Sequence, residues 1–271
     1  MSKNFLDNKK KFEFNSKQIR SVIIKMLYKA QSGHSGPSLS IVEILNYLFL
    51  EKKIYLNLKQ KDNFVLSKGH AVPALYAIFY ILGLINKKDL RSFREIGTKL
   101  QGHPDRTKLK YIELGTGALG QGISVSIGFA IANLLKKNNK KSFCLIGDGE
   151  MQEGQIWESA MYAGAKKLNN LCVILDNNKM QNETFTKKTL NILPIKEKWL
   201  SFNWKVEEIN GHSYNEIKKA FNNFYKEKKK PTFIIANTIK GKGISFMENS
   251  SLWHSKVIDE VNFYNAIKQL D

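Results

Sequence analysis

The stretch Gly147–Met180, GDGEMQEGQIWESAMYAGAKKLNNLCVILDNNKM, sets an acidic residue, Asp148, one residue beyond one short apolar run and a pair of asparagines, Asn177 and Asn178, one residue beyond another. The runs Phe143–Ile146 and Leu171–Leu175 have the length and composition of buried strands, and the pattern from about Gln152 to Leu168 between them is helical. Strand, helix and strand make a βαβ unit, because parallel strands need a crossover long enough to return to the starting edge. Neighbouring strands lie about 4.8 Å apart, so Asp148 and Asn178 are expected side by side at the carboxyl edge of the sheet, where open α/β folds bind ligands.

Working outward, Phe64–Leu66 and Phe233–Ala236 also read as buried strands, and Trp204–Ile209 as a more polar one. Helical stripes separate them. From Lys17 to Gln31 the residues Ile19, Val22, Ile23, Met26, Leu27 and Ala30 share one face. Ser40 with Glu43 has the spacing of a capping box opening a helix through Leu50, and Ser213 with Glu216 opens another containing Ile217, Ala220, Phe221 and Phe224. This alternation predicts the α/β class: an open parallel sheet with helices on both faces, forming a single domain over residues 1–271. The polar segments Asn86–Lys110 and Met180–Glu197 are expected to run over the surface, and loops of that length in a compact domain tend to carry function.

Composition narrows the function classes. The apolar run Ala71–Ile85 contains Pro73 and Gly83 and is shorter than the roughly 20 residues a membrane span needs. The N-terminal MSKNFLDNKKKFEFNSK lacks an apolar core and includes Asp7 and Glu13, so no secretory or transit signal is expected and the default location is cytoplasmic. Cys144 and Cys172 sit in separate apolar runs and are expected to be buried thiols. The net charge of +19 raises nucleic-acid binding, but only Arg20, Arg91, Arg94 and Arg106 among 43 basic residues are arginine. Arginine is the residue that forks onto phosphates and guanine edges, so a scattered lysine surface argues against that partner.

A carboxylate and a carboxamide oxygen at adjacent strand ends can share a hard cation. Magnesium takes about six oxygens and completes its shell with phosphates and water, so Asp148 and Asn178 suffice if a diphosphate supplies the remainder. Gly147 and Gly149 are expected to let the backbone approach such a ligand. Four of the five histidines lie in Gly-, Ser- or Pro-bearing segments: His34 in SGHSGPSLS, His70 in LSKGHAVPALY, His103 in LQGHPD and His254 in WHSK. Imidazoles there could donate to diphosphate oxygens or move protons near neutral pH. His212, just before the capping Ser213, reads as structural.

The Gly147–Met180 segment resembles the thiamin diphosphate motif, GDG followed after a helix by NN, and its interior EGQIWESAMYAGAKKLNNL resembles transketolases in particular. The four histidine segments and TGALGQGIS, Thr116–Ser124, resemble transketolase motifs in the same order, so the likeness runs from about Lys17 to Lys256. It implies a thiamin diphosphate-binding fold in which Asp148, Asn178 and the Met180 carbonyl hold Mg²⁺ or Ca²⁺. It also implies that His34, His70, His103 and His254 face the cofactor and donor sugar, with His34, His103 and His254 in catalytic roles. Gly117 and Leu119 would pack on the cofactor beside Gly149, Lys240 in TIKGKGIS would reach its diphosphate, and Glu153 would lie at a subunit interface supporting the cofactor network. Beyond the asparagine pair, MQNETFTKK stands where many relatives continue with Ile-Asp-Gly, so a differently shaped loop is expected after Met180.

The resemblance is closest to the N-terminal subunit of two-chain transketolases, with SKGHAVPALY especially like those forms. It implies a separate C-terminal chain that binds the aminopyrimidine, and a heterotetramer with active sites at the interfaces. The activity implied is transfer of a two-carbon ketol unit from a ketose phosphate to an aldose phosphate, in the pentose phosphate pathway. The alternatives are a subunit of another thiamin diphosphate enzyme and a non-catalytic relative that retains the fold. The histidine segments taken together disfavour the first, and the intact Asp148, Asn178 and histidines disfavour the second.

Overall fold

Five apolar or half-apolar runs become the strands β1 Asn63–Leu66, β2 Ser142–Gly147, β3 Leu171–Asn177, β4 Lys205–Asn210 and β5 Thr232–Asn237. They form one parallel sheet in the order β1-β2-β3-β5-β4. The computed structural model describes residues 3–52, 54 and 61–271; residues 1–2, 53 and 55–60 of the expected single domain lie outside the described residues. All five expected strands are present, each extended by one or two residues or shifted by one. β4 is an edge strand, which is why it can carry Lys205, Glu207 and Glu208 where β2 and β3 are apolar and buried almost throughout.

Strand side chains alternate between faces, and the two faces bury separate cores. Phe143, Leu145, Cys172, Ile174, Ile234 and Ala236 face a core closed by the helices Lys3–Ala30, Val72–Ile81, Tyr214–Lys226 and Glu260–Leu270. Cys144, Ile146, Val173, Leu175, Phe233 and Ile235 face the other, closed by Gln121–Leu135, Gly154–Ala165 and Ile195–Ser201. The helices therefore lie on both faces, as the alternation predicts. The register pairs Phe143 with Cys172 and Cys144 with Val173, so the two cysteines point to opposite faces; both are buried, free thiols. The run Ala71–Ile85 becomes the short buried helix Val72–Ile81, and among the described residues no helix is long and apolar enough to cross a membrane.

Several local expectations change. The first helix runs Lys3–Ala30, beginning well before the apolar stripe. Ser213 does cap its helix by accepting from the Glu216 amide, while the Glu216 carboxylate turns back to the Asn210 amide at 2.8 Å. The helix expected through Leu50 is present as Val42–Asn46, continued by a π turn Tyr47–Glu51, but Ser40 does not cap its N-terminus. Ser40 follows the helix Ser35–Leu39 in right-handed helical geometry, and its hydroxyl donates to the Pro37 carbonyl and to Asp176, at 3.0 and 2.7 Å. Glu43 meanwhile reaches Arg20 and His212, so tertiary partners took both halves of the apparent capping box. The helix expected from Gln152 is split: a single 3₁₀ turn Glu150–Gln152, an extended Glu153, and then Gly154–Ala165. The two long polar segments carry only short helices, among them Lys87–Arg91 and Thr186–Thr189.

Candidate functional site

Because every strand is parallel, every carboxyl end lies on one edge, and the segments that follow β1, β2, β3 and β5 meet there. Gly147 pairs with Asp176, which brings Asp148 and Asn178 to neighbouring positions just beyond their strands. Both line a cleft of about 520 Å³, together with Met180, Lys68 and Lys240. His34, His70 and His254 enter the same cleft, with their ring centroids 5.3 Å apart in each pair. Gly117, Leu119, Gly149 and Glu153 complete its wall, Leu119 and Glu153 as exposed residues. His103 is not brought into this cleft. It is exposed on an adjoining cavity of about 490 Å³ that shares Gly117 with the first.

Asp148 is 3% exposed. One carboxylate oxygen accepts from the Gly149 amide at 2.8 Å, and the other is buried without a partner among the described residues. Burial, and next the nearby charge of Asp176, push its pKa up to about 7. A buried carboxylate oxygen left bare is costly unless a cation or donor completes it. Asn178 donates through Nδ2 to Asp176 at 3.0 Å and accepts through Oδ1 from the Met180 amide at 3.0 Å, an arrangement that turns the oxygen end away from Asp176. Asn177, its neighbour, is spent on Asn237 across the sheet. Two further atoms, Gln181 Oε1 and His34 Nδ1, are buried without partners.

Two ammonium groups flank this acidic pair. Lys240 donates to the Gln181 carbonyl at 2.8 Å and to His254 Nδ1 at 2.9 Å, so one of its three protons remains for a ligand. Burial, and then repulsion from Lys68, lower its pKa to about 8. Lys68 pairs with Asp176 and approaches the Pro37 carbonyl at 3.3 Å. The imidazoles respond to the same surroundings. Burial comes first for all of them, followed by Arg94 for His34, Lys240 for His254 and Lys68 for His70, placing His34 at about 4, His254 at about 3 and His70 well below its ordinary value. His103, exposed at its rim, is lowered as well, by the partial desolvation its neighbours impose and then by Arg94. Near neutral pH the four rings are uncharged, and because His254 accepts at Nδ1 its proton sits on Nε2.

The glycines of the site differ in what the backbone asks of them. Gly147 and Gly149 are absent from the residues at positive φ; a Cβ at Gly149 would instead lie 2.9 Å from the Gln181 side chain, so Gly149 makes room for the loop after Met180. Backbone freedom is required at Gly120, whose φ of +82 opens the helix Gln121–Leu135. Lys68, Asp176 and Glu150 were not singled out by sequence reasoning. Glu150 is buried and accepts from Ser67 and from the amides of Gly120 and Gly147, both at 2.9 Å, tying the glycine loop to the end of β2. The signal was adjacency: Lys68 stands two residues before His70, Asp176 two before Asn178 and Glu150 two after Asp148.

Residues 13–270 match the family model described as transketolase, thiamine diphosphate binding domain. The chain belongs to the transketolase family. An apulose-4-phosphate transketolase subunit of Phocaeicola vulgatus is 36% identical over 262 residues, covering 95% of this chain and 93% of that protein. The 6-deoxy-6-sulfo-D-fructose transketolase subunit SqwG of a Clostridium species is 38% identical over 257 residues, covering 93% of this chain and 94% of that protein. In the crystal structure of transketolase from Campylobacter jejuni the same fold recurs with a TM-score of 0.88 at 32% identity, matching 96% of this chain and 42% of that one. The sheet is thus the thiamin diphosphate-binding α/β fold of transketolases, and the cleft lies at its ligand-binding edge.

The residues present fit that cofactor. A bare buried carboxylate oxygen beside a carboxamide oxygen suits a divalent ion, and two ammonium groups with protons to spare suit a diphosphate. Among the described residues no three His, Cys, Asp or Glu side chains converge as a metal cage. An ion held here would need most of its shell from oxygens of a ligand, of water or of the backbone.

Proposed function

We propose that this chain is the diphosphate-binding subunit of a ketol-transferring transketolase, holding thiamin diphosphate through Mg²⁺ or Ca²⁺ on Asp148, Asn178 and the Met180 carbonyl. The observation that carries the reading is the unpartnered buried oxygen of Asp148 beside Asn178, in a cleft walled by neutral imidazoles and two lysines. When bound, thiamin diphosphate supplies a carbon nucleophile able to open the bond beside a ketose carbonyl. The chain's own residues do the remainder. Lys240 and Lys68 offset diphosphate charge, and Leu119 and Gly117 give the ring a wall without hydrogen-bonding demands.

His254 presents an Nε2 proton fixed by the Lys240 contact, and His34 and His70 stand beside it as uncharged groups able to hold or pass a proton at a sugar hydroxyl. His103 meets the sugar from the adjoining cavity. The substrates of this reading are phosphorylated ketose donors and aldose acceptors. The pentose phosphates of the pentose phosphate pathway are one set, and the sugars in the relatives' names, apulose 4-phosphate and 6-deoxy-6-sulfo-D-fructose, are the natural comparison.

A separate pyrimidine-binding chain completes the active site in this reading, in a cytoplasmic heterotetramer with Glu153 at the subunit interface. Support comes from the relatives: those named as subunits are covered over 93% and 94% of their length, whereas the C. jejuni transketolase is covered over 42%. The test is calorimetric titration of thiamin diphosphate with Mg²⁺ and with chelator, alone and with the co-purified partner, followed by ketol transfer assays on the three sugar sets. Saturable, Mg²⁺-dependent binding is expected. Failure to bind the cofactor in any combination would overturn the reading.

A further inference from the structure

Asp176 is the penultimate residue of β3, 1% exposed, and four segments of the chain converge on its carboxylate. Oδ2 accepts from Lys68 after β1, from Ser40 at 2.7 Å and from Asn178 Nδ2 at 3.0 Å; Oδ1 accepts from Thr238 after β5. With both oxygens engaged, Asp176 is not itself a cation ligand. Its effect falls on Asn178. A carboxamide can turn over without changing shape, exchanging an oxygen that attracts a cation for an NH₂ group that repels one. Asp176 accepts but cannot donate, so only the NH₂ end of Asn178 is tolerated against it, and the oxygen end is turned the other way, to the Met180 amide at the cleft wall.

We infer that Asp176 is a positioning residue for the divalent ion: it locks the Asn178 carboxamide so that oxygen, not nitrogen, faces the metal position. The inference rests on the proposed function for its consequence, and on hydrogen bonds independent of that function for its geometry. The Met180 amide makes the complementary bond to Asn178 Oδ1, but it belongs to the loop that Asn178 itself begins. Asp176 is fixed instead from three other segments, through Lys68, Ser40 and Thr238.

The test uses the full-length chain labelled with ¹⁵N in its asparagine side chains, the Asn178 signal being assigned by its loss in Asn178→Asp. In the parent chain the Asn178 NH₂ protons are expected to exchange slowly. In Asp176→Asn they are expected to exchange at least about 10-fold faster, as for a ligand that has lost its orienting partner. In Thr238→Val, which removes a different donor from the same carboxylate, they are expected to stay protected. The Mg²⁺ concentration that half-saturates thiamin diphosphate binding should rise about 10- to 100-fold in Asp176→Asn. It should return toward the parent value in the double variant Asp176→Asn/Asn178→Asp, where the new amide donates to the new carboxylate and an oxygen again faces the ion.

Unchanged protection in Asp176→Asn overturns the inference. So does a Thr238→Val variant that loses protection and Mg²⁺ affinity equally, which would make Asp176 a general scaffold. Should Asp176→Asn fail to fold, the charge-conserving double variant decides: Mg²⁺ dependence near that of the parent supports the inference, and dependence as weak as in Asn178→Ala overturns it. A parent chain that binds no cofactor with its partner present would sink the functional reading, while the exchange measurement would still decide the role of Asp176.

Discussion

Two buried polar clusters in this molecule both combine a carboxylate, a cation and an imidazole, and they are finished differently. Arg20, Glu43 and His212 form a closed set. The Arg20 guanidinium reaches both Glu43 oxygens at 2.6 and 2.8 Å and the Lys242 carbonyl at 2.7 Å, while His212 meets Glu43 at 2.9 Å through Nδ1 and accepts from the Ile239 amide at 2.9 Å through Nε2. None of its atoms is a buried orphan. At the carboxyl edge, Asp148, Gln181 and His34 each keep a buried atom without a partner, and Lys240 keeps a proton to spare. A satisfied cluster holds elements together, and an unsatisfied one is a place where the fold spends stability on a ligand. The two are connected, because the Ile239 amide that His212 accepts from precedes Lys240.

The largest effect should come from opening the closed cluster. Glu43→Ala leaves Arg20 buried without its carboxylate and should cost about 3–5 kcal/mol, read as a lower melting temperature and denaturation midpoint. Cofactor affinity of the molecules still folded at low temperature should change far less. The reverse is expected at the open site. Asp148→Asn should weaken Mg²⁺-dependent thiamin diphosphate binding more than about 100-fold, since several kcal/mol of ion stabilisation go with the carboxylate. It should leave the unliganded chain as stable as the parent or more so, because a buried carboxylate of raised pKa is removed. Calorimetry and thermal melts on the same samples separate the two behaviours, and a large stability loss in Asp148→Asn would erase the contrast.

Acid and base sharpen it further. Asp148 has a folded pKa raised to about 7, so its contribution to the unliganded chain is present below the ordinary carboxylate range and lost as pH rises through 7. A metal held by Asp148 would require the ionised form, so the melting-temperature gain on adding Mg²⁺ and cofactor should grow between pH 6 and pH 8. For Glu43, burial acts upward, but Arg20 and His212 outweigh it and bring the pKa down to about 2. That stabilisation is present above about 4.5 and is lost as pH falls toward 2. Melts from pH 6 down to pH 2 should lose this contribution in the parent and show less of the loss in Glu43→Gln. The smallest expected effect is Lys240→Met, about 10-fold weaker cofactor binding for one lost charge-assisted contact, with little change in melting temperature.

Much of this was legible in the amino-acid order. β2, β3 and β5 are buried on both faces and so had to be continuous apolar runs, which is why Phe143–Ile146, Leu171–Leu175 and Phe233–Ala236 announced themselves. The juxtaposition of Asp148 and Asn178 followed from the βαβ connection between their strands, and His212 was readable as structural from its place before a capping serine. Ser40 and Glu43 were misread because Ser-x-x-Glu looks the same whether the serine faces a helix amide or a carboxylate 136 residues away. Lys68 and Asp176 passed unnoticed because a lysine and an aspartate distant in sequence give no sign that they will be paired in the interior.

Amino-acid order was enough for the parallel sheet, its carboxyl edge and the residue types gathered there, because hydrophobic period and the helical crossovers between strands are local features of the chain. The tertiary structure alone decided which polar atoms were satisfied and which were left bare, which end of the Asn178 amide faces the cleft, and that His103 opens on a neighbouring cavity. Those outcomes depend on contacts between segments far apart in the chain, and on the low-dielectric interior that makes each unpaired charge or dipole count.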